Sequence, residues 1–503
     1  MKLFRIRGGV HPEDRKHLSA AQPIENLPLP PLLHIPLQQH IGAPAEPLVS
    51  RGQSVRKGQL LARSQGAISA PVHAPTSGRI VGIGGYPAHH ASGLSVRTIT
   101  LQPDGYEEWD DACEGLPDPF TLEPEQIAER VAQAGIVGMG GATFPSSVKL
   151  NLRKRYALHT LVINGAECEP YLTCDDRLMR ERPADVRDGV LLMARALGVQ
   201  KMLIAIENNK PEAQQAMREA AAMYPEITVV GLPTRYPMGS EKHLVQTLVG
   251  RETPARGLTA DIGVVVHNVA TAAAVNDALR HGRPLISRLV TVTGSAISQP
   301  RNLHVPIGTP LERLVEYCGG FSEEPARLIS GGPMMGQPLP SLRVPVVKGS
   351  NGLLALTSQE VQSRSEMPCI RCASCVGACP CGLVPLSMAA HIRAGSLDAS
   401  VDLGLLDCIA CGSCSYVCPS HIPLVQYFNY AKGELAARQR AQHKQGETKR
   451  LAEARNARME AIKQAKREAM AQRKREMEAK KAQEAAANAA AAGAQETTAE
   501  AEA

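Results

Sequence analysis

The pattern of apolar and polar positions between residues 125 and 280 alternates between two periods. Short apolar runs, typical of buried strands, are separated by segments whose apolar residues recur every three or four positions, as on one face of a helix. The predicted strands are Thr160–Asn164, Lys201–Ile206, Ile227–Val230 and Gly263–His267, and the predicted helices are Ala184–Leu197, Pro211–Met223, Glu241–Val249 and Thr271–Leu279. This alternation predicts an α/β domain over residues 125–280 with a largely parallel sheet.

On both sides of that domain the pattern changes to short β runs punctuated by glycine and proline. From Val49 to about Leu101 the runs predict a small β-sandwich, which we assign to a domain of residues 1–105. Residues 285–347 have the same character and predict a small β-rich or α+β module. A cysteine-rich region follows over residues 363–425. The fold class is therefore multidomain, α/β and β.

Residues 431–503 consist mainly of Ala, Lys, Arg, Glu and Gln, with almost no large apolar side chain. The first half is compatible with a solvated helix carrying pairs of opposite charge. The last part, around residues 484–494, cannot bury enough surface to fold alone. We expect a disordered or loosely helical tail, with a docking helix as the alternative.

This tail also accounts for the net charge of the chain. It holds 16 Lys and Arg against 11 Asp and Glu, so that it carries +5 of the net +6. The remainder has no basic stripe with interleaved aromatic residues, which argues against a nucleic-acid partner. There is no apolar segment typical of a signal peptide, and the uncharged, apolar-leaning stretch Ile262–Val275 is broken by His267 and Asn268 and is shorter than the ~20 residues of a membrane-spanning helix. We expect a cytosolic protein that reaches a membrane only by binding something there.

Eight of the 13 cysteines fall in two runs of identical spacing. In each run, two residues separate the first cysteine from the second and the second from the third. Three residues then separate the third cysteine from a fourth, which is followed by proline. This is the spacing found in two-cluster [4Fe–4S] ferredoxins. In such proteins the fourth cysteine of each run binds the other cluster. Cluster 1 is therefore assigned Cys369, Cys372, Cys375 and Cys418, and cluster 2 is assigned Cys408, Cys411, Cys414 and Cys379.

Two alternatives accompany the cluster assignment. Zinc sites use two Cys-x2-Cys pairs, or mixed cysteine and histidine ligands, separated by longer gaps, and neither run has that arrangement. Cys381 stands two residues after Cys379 and competes with it as a ligand, although the three-residue spacing favours Cys379. The other cysteines, at positions 113, 168, 174 and 318, lack ligand spacing and are expected to be ordinary buried thiols.

A glycine-rich loop and three polar segments predict a ligand site in the α/β domain. Gly138, Gly140 and Gly141 let the backbone approach a ligand, and Lys149 can meet a phosphate, although such loops are often simple turns. The polar segments are Leu161–Pro170, Tyr236–Glu241 and Val266–Thr271. The first and third directly follow apolar runs, and the ends of parallel strands are where α/β sheets bind ligands. His267 alone is more typical of a structural histidine.

Together these segments resemble the flavin mononucleotide (FMN) and NADH site in the flavoprotein component of respiratory complex I. With the cysteine runs, the β-rich N-terminal region and the charged tail, residues 4–430 resemble the C component of the bacterial Rnf (or Rsx) family of ion-translocating electron transport complexes. The resemblance implies non-covalent FMN held by Gly138, Gly140, Gly141, Lys149, Asn164, Ala166, Glu167, Tyr236, Gly239, Asn268 and Thr271. It places Phe144 where the nicotinamide ring stacks on the flavin and Glu169 where the nucleotide binds.

The same resemblance extends to the other regions and shows one departure. Met139 stands where the complex I pattern has an arginine, so a charge near the cofactor is missing. The N-terminal region resembles a lipoyl-like barrel-sandwich hybrid, but it has no lysine at the hairpin tip near residues 70–75, so we expect a structural role. Residues 285–347 resemble the SLBB-like module that follows the flavin domain in these relatives. Residues 363–425 resemble a helical, ferredoxin-like two-cluster domain.

These resemblances imply an oxidoreductase subunit that passes electrons between NAD(H), FMN and two [4Fe–4S] clusters. No side chain need act as a catalytic acid or base, because the chemistry belongs to the cofactors. The implied partners are the membrane and iron–sulfur subunits of one complex, which couple electron flow to Na+ or H+ movement, and a ferredoxin-type electron partner. The chain would be peripheral, on the cytoplasmic face of the inner membrane. The alternatives are a flavin and iron–sulfur cobalamin reductase, and a non-catalytic electron wire with a degenerate flavin site.

Overall fold

The computed structural model describes residues 2–66, 68–361 and 364–499, with side chains up to residue 491. The predicted domain limits at residues 1, 363 and 503 lie outside the described residues. The chain divides into two compact units between residues 429 and 430. The strands and both cysteine runs lie in the first unit.

The N-terminal region forms two small antiparallel sheets. In chain order its strands are β1 Glu25–Asn26, β2 Leu33–Pro36, β3 Glu46–Pro47, β4 Ser54–Val55, β5 Leu60–Arg63, β6 Val72–His73, β7 Gly78–Pro87 and β8 Ser95–Pro103. One sheet has the order β2-β8-β7-β4 and the other β3-β5-β6. Buried side chains from both sheets, including Ile35, Leu61 and Ile99, share one core. This is the β-sandwich that the glycine-punctuated runs indicate.

The central region is an α/β layer on four parallel strands. Its elements are α1 Pro124–Gln133, α2 Ser146–Leu150, β9 Thr160–Gly165, α3 Cys174–Glu181, α4 Pro183–Leu197, β10 Lys201–Glu207, α5 Pro211–Ala221, β11 Ile227–Leu232, α6 Glu241–Val249, β12 Val264–Asn268 and α7 Val269–His281. The sheet order is β11-β10-β9-β12, and each pair is parallel. Leu161 and Ile163 face one core, and Val162 faces a second core on the opposite side of the sheet. Burial on both faces explains the nearly continuous apolar runs of these strands.

A third region is built on a mixed six-stranded sheet. Its elements are β13 Ser287–Thr293, β14 Arg301–Pro306, α8 Leu311–Tyr317, β15 Arg327–Ser330, β16 Gln337–Pro338 and β17 Gly352–Leu356. The sheet order is β1-β14-β13-β17-β15-β16. The sheet therefore takes β1 from the N-terminal region and β17 from beyond residue 347, outside the range from which the module was predicted.

The cysteine region is helical, as expected. Its helices are α9 Ser374–Ala378, α10 Pro385–Arg393, α11 Leu397–Asp402, α12 Ser413–Tyr416 and the beginning of α13 Leu424–Ala499. In each run the second cysteine lies just before a short helix, α9 or α12, and the third cysteine lies in the first turn of that helix. Short 3-10 helices lie at Lys16–Leu18, Pro119–Thr121, Leu152–Lys154, Thr259–Ile262 and Leu405–Asp407.

The second unit is helical to residue 499, where α13 ends. Described side chains between residues 437 and 491 are exposed, so no core holds this helix together. Its residues have high helix propensity, and charge pairs one turn apart, such as Lys474–Glu478 at 3.9 Å, add a little stability. The tail is therefore a solvated helix in the part that the structure describes. None of the described helices is long and apolar enough to cross a membrane.

Candidate functional site

A cavity of about 360 Å³ opens beside the carboxyl ends of β9 and β12. Its volume lies in the range of about 300–1,000 Å³ that is usual for small-molecule sites. Most of the predicted flavin and nucleotide residues line it: Gly138, Gly140, Gly141, Phe144, Lys149, Asn164, Glu167, Glu169, Tyr236, Gly239 and Asn268. The parallel sheet thus brings together four segments that are far apart in the sequence.

The glycine-rich loop is closed at its base and packed tightly against the end of β12. The Gly138 N–H donates to the Phe144 carbonyl at 2.8 Å. A Cβ atom at Gly140 would lie 3.0 Å from the Asn268 Cβ atom, so a larger residue there would push the Asn268 side chain. Gly141 adopts φ +152°, which disfavours a side chain. The loop therefore needs glycine for close approach and for its backbone geometry.

Three buried polar atoms of the cavity wall have no hydrogen-bond partner among the described residues. They are Ser146 Oγ, Glu167 Oε2 and His267 Nε2. Buried polar atoms are nearly always hydrogen-bonded, so unpartnered atoms around one cavity indicate a polar ligand. Lys149 lies in the same wall, where its Nζ donates to Glu241 Oε2 at 2.9 Å and to the Val266 carbonyl at 3.0 Å. A ligand with a phosphate, hydroxyls and a polar ring edge, as FMN has, fits this set of groups.

The two glutamates of the Asn164–Glu169 segment are buried but bonded differently. Glu167 Oε1 accepts from the Asp175 N–H at 2.7 Å, and burial raises the pKa of Glu167 to about 7. Glu169 accepts from the Met334 and Met335 N–H groups at 3.0 and 2.9 Å, and burial raises its pKa to about 7 as well. Glu169, expected to bind the nucleotide, thus also holds the loop that carries Met335 into the cavity wall.

Two residues predicted to contact the flavin do not line the cavity. Ala166 is fully buried, and its carbonyl accepts from Lys210 Nζ at 2.7 Å. Thr271 is fully buried, and its Oγ1 accepts from the Met139 N–H at 3.0 Å. Both lie one layer behind the wall and hold its backbone. Their predicted contact with the flavin stays a prediction.

Other residues of the site carry no recognisable sequence signal. Lys16, in the N-terminal segment, is buried, and its Nζ donates to the Glu167 and Glu169 carbonyls at 2.9 and 3.0 Å. Asp175 lines the cavity and accepts from Asn268 Nδ2 at 2.6 Å. Their partners come from distant segments, and no local motif marks them.

Two of the cysteines expected to be ordinary buried thiols also face this cavity. Cys168 accepts from the Gly239 N–H at 3.2 Å, and burial raises the pKa of its thiol to about 12. Cys174 is buried in the same wall, and burial raises its pKa too. Both thiols are therefore protonated at neutral pH, so they act as packing groups of the cavity wall and not as nucleophiles.

The cysteines of the two runs surround two further cavities. One is lined by Cys369, Cys372, Cys375 and Cys418, and the other by Cys379, Cys408, Cys411 and Cys414. The fourth cysteine of each run thus lies with the first three of the other run, which is the grouping that the ferredoxin pattern predicts. Cys381 also lines the second cavity, so five thiols lie there and the competition with Cys379 remains open.

The two runs have the same local backbone. The Arg371 N–H points to Cys369 Sγ, and the Ala410 N–H points to Cys408 Sγ, each at 3.4 Å. Positive φ angles recur at matching positions: 56° at Arg371, 59° at Ala373, 55° at Ala410 and 80° at Gly412. These turns aim backbone amides at the sulfur atoms, which stabilises thiolates and suits the thiolate ligands of an iron–sulfur cluster.

The second cysteine cavity shares a wall with the cavity at the ends of β9 and β12. Ile409 lines both of them. Tyr236, in the wall of the cavity at the strand ends, donates its hydroxyl to the Cys411 carbonyl at 2.7 Å. By contrast, Cys369 and Cys372 of the first cysteine cavity are exposed. The second cysteine cavity therefore adjoins the cavity at the strand ends, and the first cysteine cavity opens to the surface.

Comparison with known families matches four segments of the chain. The models are the RnfC barrel sandwich hybrid domain at residues 4–106, the Nuo51 FMN-binding domain at 131–277, the SLBB domain at 289–338 and the 4Fe-4S dicluster domain at 368–422. These matches confirm the predicted types of domain and their order.

Two curated proteins resemble nearly the whole chain. The C component of the ion-translocating oxidoreductase complex of Rhodobacter capsulatus is 57% identical over 444 residues, which cover 88% of this chain and 85% of that protein. The C component of the proton-translocating ferredoxin:NAD(+) oxidoreductase complex of Clostridium ljungdahlii is 45% identical over 437 residues, with coverage of 86% and 94%.

Among solved structures, an NAD+-reducing [NiFe]-hydrogenase in the H2-reduced state has a TM-score of 0.44 at 19% identity. The match covers 64% of this chain and 63% of that one.

Proposed function

Since the chain belongs to the family of C components of ion-translocating oxidoreductase complexes, we propose that it passes electrons between NAD(H), FMN and two [4Fe–4S] clusters. It is a subunit of an ion-translocating electron transport complex with a redox role, and its domains are those that bind FMN and two [4Fe–4S] clusters. The cofactor predictions for FMN and the clusters are thereby confirmed. The residues that hold them, and the route between them, are the substance of the proposal.

The 360 Å³ cavity is the proposed FMN site. The glycine loop would approach the cofactor closely, Lys149 would meet its phosphate, and Asn164 and Glu167 would bond its polar groups. Phe144, which also lines the cavity, would offer a ring for the nicotinamide. When bound, FMN supplies the exchange between two-electron and one-electron transfer. The chain's own residues bind and orient the partners, and none is required as an acid or base.

The shared wall at Ile409 carries the proposed order of transfer. Cys408, Cys411, Cys414 and Cys379 would hold cluster 2 next to the FMN cavity, where it would be the first cluster to exchange electrons with the flavin. Cys369, Cys372, Cys375 and Cys418 would hold cluster 1. The first two of these cysteines are exposed, so cluster 1 would exchange electrons with the iron–sulfur subunit or a ferredoxin-type partner.

The coupling to ion movement belongs to partners and not to this chain. The relatives are named as parts of ion-translocating and proton-translocating complexes. We extend this to a peripheral position on the cytoplasmic face of the inner membrane, against membrane subunits that move Na+ or H+. The similarity along nearly the whole chain does not favour a cobalamin reductase.

An anaerobic NADH titration tests the proposal. Full-length protein is reconstituted with iron, sulfide and FMN, and flavin and cluster absorbance are followed together. Bleaching of the flavin by stoichiometric NADH, with loss of cluster absorbance, supports the proposal. If FMN binds but NADH does not bleach it, the NADH-oxidising role is contradicted and the non-catalytic electron wire is supported. If the protein holds zinc in place of iron, the assignment of the two iron–sulfur clusters is contradicted.

A further inference from the structure

Arg288, on β13, is a buried cation that lacks a salt bridge. The residue is 4% exposed, and it forms no ion pair with a carboxylate among the described residues. Cys174 and Asp175 in the cavity wall are the ionisable groups that act on its charge. Removing a guanidinium from water without a salt bridge is costly, so this position needs an explanation.

The guanidinium is bonded instead to the backbone around the glycine-rich loop. Its Nε donates to the Ser350 carbonyl at 3.0 Å, Nη2 lies 3.5 Å from the Met139 carbonyl, and Nη1 contacts the Met139 sulfur. The Met139 N–H donates to Thr271 Oγ1 at 3.0 Å. Met139 is thus held through its N–H, its carbonyl and its sulfur, and its neighbours Gly138 and Gly140 form the cavity wall.

The segment that leads from the β-rich module into β17 supports the same loop. Lys348 Nζ donates to the Gly135 carbonyl at 2.6 Å, just before the loop begins. A Cβ atom at Gly349 would lie 2.6 Å from the Thr143 methyl carbon near the loop's end. Asn351 lines the cavity itself. The module therefore contacts the loop at its start, middle and end.

The charge of Arg288 also acts on an acidic wall. Glu167, Glu169, Asp175 and Glu241 line the cavity, and Glu241 pairs with Lys149 in the same wall. Arg288 favours the ionised form of Asp175, whose pKa burial otherwise raises. A guanidinium stays protonated at any working pH, and its field is weakly screened in a buried site.

We propose that Arg288 is a positioning residue of the FMN site, which fixes the glycine-rich loop through Met139 and raises the midpoint potential of bound FMN. Arg288 thereby places a positive charge from the neighbouring module beside Met139 in the loop. The inference rests on the proposed function, because it concerns the same site.

The test compares four variants of the full chain with both clusters in place. Arg288→Met removes the positive charge but keeps a side chain of similar length. Arg288→Lys keeps the charge but lacks the planar guanidinium group with its several N–H donors. The double variant Met139→Arg with Arg288→Met moves the charge onto the loop. Arg301→Met, on the adjacent β14, breaks an ion pair with Glu25 and serves as the matched control. FMN affinity is measured by fluorescence and the flavin midpoint potential by spectroelectrochemical titration.

Arg288→Met is expected to weaken FMN binding about tenfold and to lower the potential by about 30 mV, which is a tenfold change for a two-electron couple. Arg288→Lys is expected to lose affinity but to keep the potential, since the charge remains. The double variant is expected to recover the potential, and Arg301→Met to change neither quantity.

An unchanged potential in Arg288→Met, or an equal change in Arg301→Met, would overturn the inference. If Arg288→Met does not fold, the double variant is the test, because a flavin midpoint potential below that of the wild type in the double variant would contradict the inference. If Arg288→Lys also does not fold, Arg288 is required for folding, and its proposed role at the FMN site is contradicted. Wild-type protein that takes up no FMN would instead contradict the proposed function, so the two failures are distinguishable.

Discussion

At the scale of single residues, burial and charge compete most directly at Glu167. Its carboxyl is buried 3.8 Å from the Lys16 ammonium, and one of its oxygens has no hydrogen bond among the described residues. Burial raises its pKa to about 7, so folding tightens proton binding. Between its ordinary pKa, near 4.3, and about 7 the folded state therefore holds more protons than the unfolded state, and stability falls as the pH rises through this window.

Replacing Glu167 with Gln removes this pH dependence. Without FMN, Glu167→Gln should be more stable than the wild type at pH 8 by roughly 1–3 kcal/mol and nearly equal to it at pH 5. Thermal unfolding at both pH values measures the difference, with the exposed Glu312→Gln on α8 as the control. A difference of the same size at both pH values would show that Glu167 does not titrate in this window.

The grouping of thiols gives a second prediction for single residues. Cys375→Ala and Cys418→Ala should lose the same cluster, because both side chains line one cavity, whereas Cys414→Ala should lose the other. Each variant should retain about half the iron, because one of the two clusters remains. Paramagnetic resonance identifies the cluster that is left, and Cys113→Ala, outside both cavities, should keep both. If Cys418→Ala and Cys414→Ala leave the same spectrum, the ligands do not cross between runs.

At the scale of elements, the parallel sheet and the cysteine runs could be predicted because each leaves a regular pattern in the sequence. For the sheet, short apolar runs alternate with helical patterns, and for the runs, the cysteines recur at fixed spacings. The strand predicted at Thr160–Asn164 is β9 Thr160–Gly165, and the helix predicted at Glu241–Val249 is α6. The composition of the six-stranded sheet could not be predicted. β1 has only two residues, Glu25–Asn26, and its partner β14 lies nearly 280 residues away, so no local pattern marks the pairing. Lys16 and Arg288 were missed for a related reason, since they bond backbone atoms of distant segments.

The glycine-rich loop gives a prediction at this scale. Gly140→Val places a side chain against Asn268, where a Cβ atom would already be 3.0 Å away. The loop must then move, and FMN affinity should fall at least tenfold, by roughly 1.4 kcal/mol or more. Both clusters should remain. Gly446→Val, in α13 with no atom near its Cβ position, is the matched control for the substitution. Unchanged FMN binding in Gly140→Val would contradict the close approach of this loop to the cofactor.

At the scale of the whole molecule, the two units divide cofactor binding from the charged tail. The last cysteine of the chain is Cys418, and no residue beyond Phe428 lines a cavity described above. The proposed route between NAD(H), FMN, cluster 2 and cluster 1 therefore lies within the first unit, where the α/β layer, the third region and the cysteine region supply the walls of the three cavities.

Truncation after residue 435 tests this division. The shortened chain should bind the same amounts of FMN and iron as the full chain, because the removed helix supplies no ligand and its side chains from residue 437 to 491 are exposed. Cofactor analysis and the flavin midpoint potential measure the outcome. Loss of both clusters would show that the tail is needed to build the cluster domain.

The order of transfer is the central claim, and reduction of single-cluster variants by NADH tests it most directly. Samples of Cys414→Ala and Cys375→Ala with bound FMN are frozen after brief mixing with stoichiometric NADH and examined by paramagnetic resonance. With cluster 1 absent, cluster 2 should be reduced as fast as in the wild type. With cluster 2 absent, the flavin should still be bleached while cluster 1 stays oxidised. Rapid reduction of cluster 1 in the absence of cluster 2 would contradict the proposed route.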